Sequence, residues 1–143
     1  MRDNALFYTC SLIEYIGRAK HQKRDNLVNR LGITAVRRIY KYSDVLHCEP
    51  IEKISDEYIT MMNLEEGDYD NIAKCKYNVP DYWDIGDVYS RLITDVDDGD
   101  VIETLFKVYN SNLSDEILDY NSAMYFQPRD YLKMCYLAES GNA

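Results

Sequence analysis

The densest run of potential metal ligands in the sequence is the acidic segment 95–103, DVDDGDVIE. An EF-hand loop needs acidic ligands at positions one, three and five, glycine at position six and a carboxylate at position twelve. With Gly99 at position six, position one is Thr94, position three is Val96 and position twelve is Leu105. This spacing is incompatible with an EF-hand, so we expect a turn whose acidic residues cap the following helix.

Thiol and imidazole chemistry has few candidate residues. His47 and Cys48 are adjacent while His21 is distant, and neighbouring side chains at a helix end point in different directions. The four cysteines contain no Cys-x-x-Cys pair and none of the short ligand spacings of zinc sites, and no glycine-rich phosphate loop occurs. We therefore predict no catalytic residue, no metal site and no cofactor, although a hydrolytic carboxylate pair cannot be selected from sequence.

The strongest local signal is a basic segment at residues 18–41, which has eight Lys/Arg and a single acidic residue. Its pattern predicts a helix, a turn at Gly32 and a second helix, which is the outline of a helix-turn-helix. Arg37, Arg38 and Lys41 would lie on the second helix, where they could contact phosphates or bases. Two observations oppose this: paired helices around a glycine are common, and a net charge of -9 repels a polyanion.

The remainder of the chain has the opposite charge. Residues 1–47 contain nine Lys/Arg and four Asp/Glu, whereas residues 48–143 contain seven and twenty-one. The two parts could complement each other within one fold or between two copies, or they could contact different partners. A rigid acidic surface could also mimic a nucleic-acid backbone and inhibit a nuclease; the acidic clusters lie at 49–70, 81–100 and 115–119.

Helical periodicity dominates the chain, because apolar residues recur at three- and four-residue steps. The first predicted helix covers residues 3–19 with Asp3 or Asn4 as its cap, and a solvated basic link follows at 20–24. The other predicted helices, with their caps or stops, are 26–31 (Asp25, Gly32), 35–47 (Thr34), 51–63, 82–96 (Asp81 with Asp84), 101–111, a helix capped by Ser114 and broken by Pro128, and a last turn or two at 131–137.

No alternation of period two is long enough for a sheet, although a short extended piece at 75–79 is compatible with the sequence. The prediction is an all-α fold, a compact helical bundle of about six to eight helices. Short connections favour a single domain over residues 1–143, with a soft boundary at 64–80.

The sequence also indicates a cellular compartment. No run approaches the ~18 apolar residues that a bilayer span requires. The apolar stretch 5–13 is interrupted by Glu14 and precedes no cleavage site, so it does not resemble a signal peptide. We expect reduced, mostly buried thiols and a cytoplasmic protein without a membrane partner.

Tyrosine is unusually frequent, with 14 Tyr against 3 Phe and 1 Trp. Tyrosine buries a large ring while its hydroxyl stays in water, which suits protein interfaces but also the near-surface core of any small domain. Aromatics crowd around acidic residues in the central segment, so the candidate partner-binding residues are Tyr77, Tyr82, Trp83 and Tyr89. A lone tryptophan such as Trp83 is nevertheless most often a core residue.

Several motifs carry a resemblance to a known family. They are ALFYTCSLIEY at 5–15, LVNRLG at 27–32, Ile39-Tyr40 and Val45-Leu46-His47, together with CKYNVPDYWDIG at 75–86. They resemble a family of short bacterial proteins of unknown function and their longer relatives. Genes of this family tend to lie beside genes for ADP-ribosyltransferase-like proteins, as in toxin–antitoxin or effector–partner pairs. The resemblance implies a partner role and transfers no functional residue.

We therefore predict a non-catalytic protein that binds a protein partner or a second copy of itself. It would act like an antitoxin, as the neutralising or regulatory partner of an adjacent effector, by steric and electrostatic occlusion. The alternatives are a nucleic-acid-linked function, through the basic 18–41 helices or through acidic mimicry, and an enzyme whose site forms only in the fold.

Overall fold

The computed structural model describes residues 3–141, and within that range it contains helices and no strand. The predicted all-α fold of about six to eight helices is confirmed, and residues 75–79 form no strand. No helix of the described range is both long and apolar enough to cross a membrane. The elements are α1 (Asn4–Lys20), α2 (Arg24–Lys41), α3 (Ser43–Leu46), α4 (Ile51–Met61), α5 (Tyr82–Val96), α6 (Val101–Tyr109), α7 (Asn112–Leu118), a 3₁₀ helix (Met124–Phe126) and α8 (Arg129–Glu139).

Helix α1 lies at the centre of the core, where it packs against α5, α2 and α4. Its apolar side chains Leu6, Leu12 and Ile16 are fully buried. Asp3 begins the helix, because its carboxylate accepts a hydrogen bond from the Leu6 amide at 3.0 Å. Of the two predicted caps, Asp3 is therefore the one that the structure uses.

Helix α5 starts where the sequence predicts, at a capping box. The Asp81 carboxylate accepts a hydrogen bond from the Trp83 amide at 2.7 Å, and the Asp84 carboxylate accepts one from the Asp81 amide at 3.3 Å. These bonds satisfy amides that have no partner within the helix. The cap therefore fixes the position of Tyr82 and Trp83 in the first turn.

The second predicted helical unit differs from the structure at its caps. Gly32 interrupts α2 as the sequence predicts, because its φ of 84° and ψ of 159° are non-helical and a kink there separates two helical halves. The predicted caps Asp25 and Thr34 are wrong: Lys23 precedes the helix without a side-chain cap, and residue 34 lies inside it. The helix predicted at 35–47 ends at Lys41, and the separate short helix α3 follows Tyr42.

The predicted Ser114 cap of α7 is also wrong, because Ser111 caps this helix and its hydroxyl accepts a hydrogen bond from the Ser114 amide at 3.2 Å. The Ser114 hydroxyl instead shares a 2.6 Å hydrogen bond with the buried Tyr89 hydroxyl. A second element completes the cap: the Glu139 carboxylate of α8 accepts hydrogen bonds from the Asn112 and Leu113 amides at 2.6 and 2.9 Å.

The segment 64–80 contains no helix, yet it is bonded to both halves of the chain. The Gly67 amide donates to the Lys20 carbonyl at the end of α1 at 2.8 Å. The buried Asn71 side chain donates to the Leu118 carbonyl at the end of α7 at 3.0 Å. These bonds use backbone groups that the helix ends leave without intrahelical partners. The single domain with a soft boundary at 64–80 stays a prediction.

Candidate partner-binding site

A buried ion pair joins α1 to the start of α2. Arg24 donates two hydrogen bonds to the Glu14 carboxylate, at 2.9 and 3.0 Å, and neither side chain is more than 1% exposed. Arg18 donates to the same carboxylate at 2.8 Å, and the Tyr120 hydroxyl donates a further short hydrogen bond to it. The prediction of a solvated link at 20–24 is therefore wrong at Arg24, which belongs to the core because Glu14 compensates its charge.

The protonation states of this network are fixed by its own contacts. Burial alone would raise the pKa of the Glu14 carboxyl, but the charge and hydrogen bonds of Arg24, followed by Arg18 and Tyr120, outweigh it and lower the pKa. For Tyr120, burial and then the Glu14 charge raise the pKa of the phenol. At neutral pH the carboxylate is therefore ionised and the phenol is protonated.

The three residues of the alternative nucleic-acid site have different environments. Arg37 donates two hydrogen bonds to the Asp100 carboxylate, at 3.1 and 2.6 Å, so its guanidinium is already engaged. Arg38 is exposed. Lys41 is exposed as well, with its ammonium 5.4 Å from the centre of the Tyr42 ring. Binding of nucleic acid stays a prediction, and in this structure it depends on Arg38 and Lys41.

Basic and acidic parts of the chain meet within one molecule. Lys20 lies 3.6 Å from Glu66, Lys23 lies 3.5 Å from Asp115, and Arg37 pairs with Asp100. Each exposed pair contributes only about 0–1 kcal/mol to stability, but together they neutralise much of the basic segment. Other carboxylates of the acidic part remain exposed, so acidic mimicry of nucleic acid also stays a prediction.

Four half-buried rings form a continuous aromatic cluster, which consists of Phe7, Tyr15, Tyr82 and Trp83. The centre of the Trp83 ring lies 5.5 Å from that of Phe7 and 5.0 Å from that of Tyr82. Tyr15 meets Tyr82 edge to face, with ring centres 5.0 Å apart. Such contacts stabilise ring pairs by about 0.5–1.5 kcal/mol beyond their burial. Two predicted partner-binding residues, Tyr82 and Trp83, therefore share one surface between α1 and α5.

Carboxylates lie beside part of this cluster. Burial and then the charge of Glu52 raise the pKa of the Tyr15 phenol, and Asp56 contributes further. The pKa of Tyr82 is raised by burial and then by Asp81. Carboxylates therefore lie beside the Tyr15 and Tyr82 side of the cluster, and polar groups at the edge of apolar rings are a feature of protein interfaces.

The cluster opens into a groove of about 470 Å³ between the start of α1, α3 and the start of α5. We call it the aromatic groove; its lining residues are Asn4, Ala5, Phe7, Tyr8, Ser43, Asp44, His47 and Trp83. Its volume is within the range of small-molecule pockets, about 300–1,000 Å³, and it could hold one or two large side chains of a partner. No pattern in the sequence indicates the α3 wall, because three separate elements create the groove.

The remaining candidates, Tyr77 and Tyr89, lie elsewhere. Tyr89 is fully buried, with its ring stacked on Tyr109 at 4.2 Å between centres. It is a core residue in this structure and no longer belongs to the partner-binding set, because its position on α5 faces α6 and α7. Tyr77 is 70% exposed on the segment before α5, and its ring makes none of the ring contacts of the cluster.

The thiols and histidines have different environments among the described residues. Cys10 is buried, and burial is the main cause that raises the pKa of its thiol to about 12. Cys48 is exposed and Cys75 and Cys135 are half-buried, so fewer thiols are buried than expected. His47 lies at the end of α3. Within residues 3–141, no group of three His, Cys, Asp or Glu side chains could hold a metal ion.

Comparison of the chain with protein-family models, with curated proteins and with solved structures finds no match.

Proposed function

We propose that this protein binds a protein partner through the aromatic groove and acts by occlusion, without chemistry of its own. The observation that carries the proposal is the continuity of the four-ring cluster with an open groove of about 470 Å³. Aromatic anchors that lie in well-packed pockets contribute most of the affinity in many protein interfaces.

The chemistry of the groove indicates what it would accept. Phe7, Tyr8 and Trp83 supply an apolar wall, while Asp44 and His47 supply polar groups on the α3 side. An apolar or aromatic side chain of the partner would displace poorly bound water from this wall. A cationic group beside that side chain would pair with Asp44, which also lines the groove.

The resemblance to partners of ADP-ribosyltransferase-like proteins makes the proposal more specific. A protein of this size could cover the active surface of such an effector and keep its substrate away. In this proposal the chain is the neutralising or regulatory partner of a neighbouring effector, as antitoxins are of toxins. A standard interface buries about 800 Å² on each partner. The aromatic groove would therefore be the centre of a larger contact surface that includes the residues around it.

Filling the groove tests the proposal. Ala5 lines the groove and lies in the first turn of α1, so Ala5→Gln should block the groove while it preserves the helix. The matched control is Ala19→Gln, which changes an exposed residue near the other end of the same helix. The partner is captured from the native host with the wild-type protein, identified by mass spectrometry and purified.

The purified pair is then mixed and its stoichiometry is measured by size-exclusion chromatography with light scattering. We expect a 1:1 complex with the wild type and with Ala19→Gln, and a loss of affinity of at least about tenfold with Ala5→Gln. Equal binding by both variants would exclude the aromatic groove as the docking site. Failure of the wild type to form a complex at micromolar concentration would exclude the partner role.

A further inference from the structure

A second open groove lies on another part of the chain, between α7, the 3₁₀ helix and α8. It has a volume of about 450 Å³, and we call it the C-terminal groove; its lining residues are Asp115, Glu116, Asp119, Ser122, Ala123, Met124, Gln127 and Tyr131. None of these residues lines the aromatic groove. The two grooves are therefore separate sites.

One side of the C-terminal groove is apolar and exposed. Tyr131 is 50% exposed, and Met134, one turn further along the same side of α8, is 68% exposed. Leu132 is the one buried side chain of this helix. Tyr131 and Met134 thus form a short exposed apolar stripe, which is the kind of surface that a partner can cover.

The other side of the C-terminal groove is acidic. Glu116 on α7 and Asp119 directly after it are exposed about one turn apart, and their carboxylates take part in no ion pair among the described residues. Asp115 lies beside them, and its carboxylate forms an ion pair with the Lys23 ammonium at 3.5 Å. Glu116 and Tyr131 both line the groove, so its acidic side and its apolar side face the same space.

The groove is held in shape by contacts on both sides. Glu139 of α8 caps α7, which joins the two walls. Arg129 at the start of α8 donates two hydrogen bonds to Asp95 of α5, at 2.7 and 2.8 Å. A preformed groove binds without the entropic cost of ordering its walls.

We propose that the C-terminal groove binds a basic amphipathic helix of a protein partner, with Lys or Arg side chains against Glu116 and Asp119 and apolar side chains against Met124, Tyr131 and Met134. Helices that insert in a groove place anchors at three- and four-residue steps, which suits an apolar stripe beside an acidic wall. The net charge of -9 would attract such a segment and accelerate its association. The same charge makes a second copy of this chain an unfavourable occupant.

A designed probe tests this proposal without knowledge of the partner. The probe is a fluorescein-labelled peptide of about 14 residues with Leu and Lys at helical spacing, and a peptide with Glu in place of Lys is its control. Binding is measured by fluorescence anisotropy at about 0.15 M salt, where long-range attraction is screened. We expect saturable 1:1 binding of the Lys peptide and no binding of the Glu peptide.

Two double variants with the same change in net charge distinguish binding at the C-terminal groove from attraction by the overall charge of the protein. Glu116→Lys/Asp119→Asn removes the acidic wall, and the amide introduced at position 119 keeps an acceptor for the hydrogen bond that the Asn121 amide donates at 3.1 Å. Glu57→Lys/Asp68→Asn makes the same change in net charge at exposed residues of other segments. We expect the first variant to weaken binding about tenfold or more and the second to change it by less than about twofold.

A third variant, Met134→Ser, tests the apolar stripe and should weaken binding of the Lys peptide several-fold. Equal weakening by both charge variants would show attraction by net charge alone and would overturn the proposal. Unchanged binding by Met134→Ser would overturn it as well, since the stripe would then have no role. Ala5→Gln, which blocks the aromatic groove, should leave peptide binding intact, so the two proposals can fail independently.

Discussion

At the scale of single residues, the core contains a charge network where a small protein would ordinarily place apolar side chains. The Glu14 carboxylate accepts hydrogen bonds from Arg18, Arg24 and Tyr120, and of these side chains only that of Arg18, at 18%, is appreciably exposed. Pairs of this kind contribute little net stability compared with apolar residues, but removal of one member leaves an uncompensated buried charge. The network therefore specifies how α1, α2 and the segment after α7 fit together.

We predict that Glu14→Gln lowers the free energy of unfolding by about 3–5 kcal/mol, because Arg24 would stay buried without a compensating charge. The control is Glu49→Gln, which breaks the exposed Glu49–Lys53 pair at 3.2 Å and should cost less than about 1 kcal/mol. Both values are measured by urea denaturation at pH 7. Equal losses in the two variants would contradict the structural role of the network.

The same substitution has a defined pH dependence. The pKa of Glu14 is lower in the folded chain than its ordinary value of 4.5, so the unfolded chain binds the proton more readily. The stability that this group contributes is complete above about pH 4.5 and is lost as the pH falls through the lowered pKa. The difference in melting temperature between wild type and Glu14→Gln should therefore narrow as the pH falls from neutral to strongly acidic values.

At the scale of elements, the crossing of α1 and α5 sets the geometry of the aromatic groove. A Cβ atom at Gly86 would collide with the Ser11 hydroxyl and lie 2.8 Å from the Ser11 Cα atom. The absence of a side chain lets the two helices approach, which brings Trp83 of α5 to Phe7 of α1. The groove therefore depends on a backbone contact that is about one turn away from the rings.

We predict that Gly86→Ala destabilises the fold by about 1–3 kcal/mol, because the added methyl group must separate α1 from α5. Gly99→Ala is the control: Gly99 has open space around it and should tolerate alanine with a change of less than about 1 kcal/mol. Thermal and urea denaturation measure both effects. If Gly86→Ala left the stability unchanged, there would be more space between α1 and α5 at this crossing than the structure indicates.

At the scale of the whole molecule, the uneven charge along the chain becomes a set of contacts between the two halves. Lys23 meets Asp115, Arg37 meets Asp100, and the segment 64–80 is bonded to the ends of α1 and α7. The N-terminal helix α1 packs against α5 from the second half of the chain. These connections favour one cooperative unit over two.

We therefore predict a single unfolding transition. Fluorescence of Trp83 reports on the contact between α1 and α5, whereas far-ultraviolet circular dichroism reports on all helices, including α6 to α8. Because the halves share one core, the two signals should give the same midpoint in urea. Separate midpoints would indicate that the chain divides near 64–80.

The sequence by itself determined the local structure of this protein, which means its helical content and some of its helix caps. The caps at Asp3 and Asp81 and the helical content depend on periodicity and on hydrogen bonds between residues at most four positions apart. The same local rules were misapplied at Asp25 and Ser114: α2 begins one residue earlier, at Arg24, and Ser111 caps α7 while the Ser114 hydroxyl bonds to the distant Tyr89.

Only the tertiary structure decided which candidate residues reach the surface. Tyr82 and Trp83 were predictable as a pair from the aromatic central segment, yet Tyr89 on the same helix is buried because α6 and α7 cover it. The aromatic groove and the Glu14 network combine side chains from separate segments of the chain, up to 106 positions apart. Apart from the Glu14–Arg18 pair, which lies within α1, these contacts arise from the packing of whole elements, and no spacing within one helix encodes them.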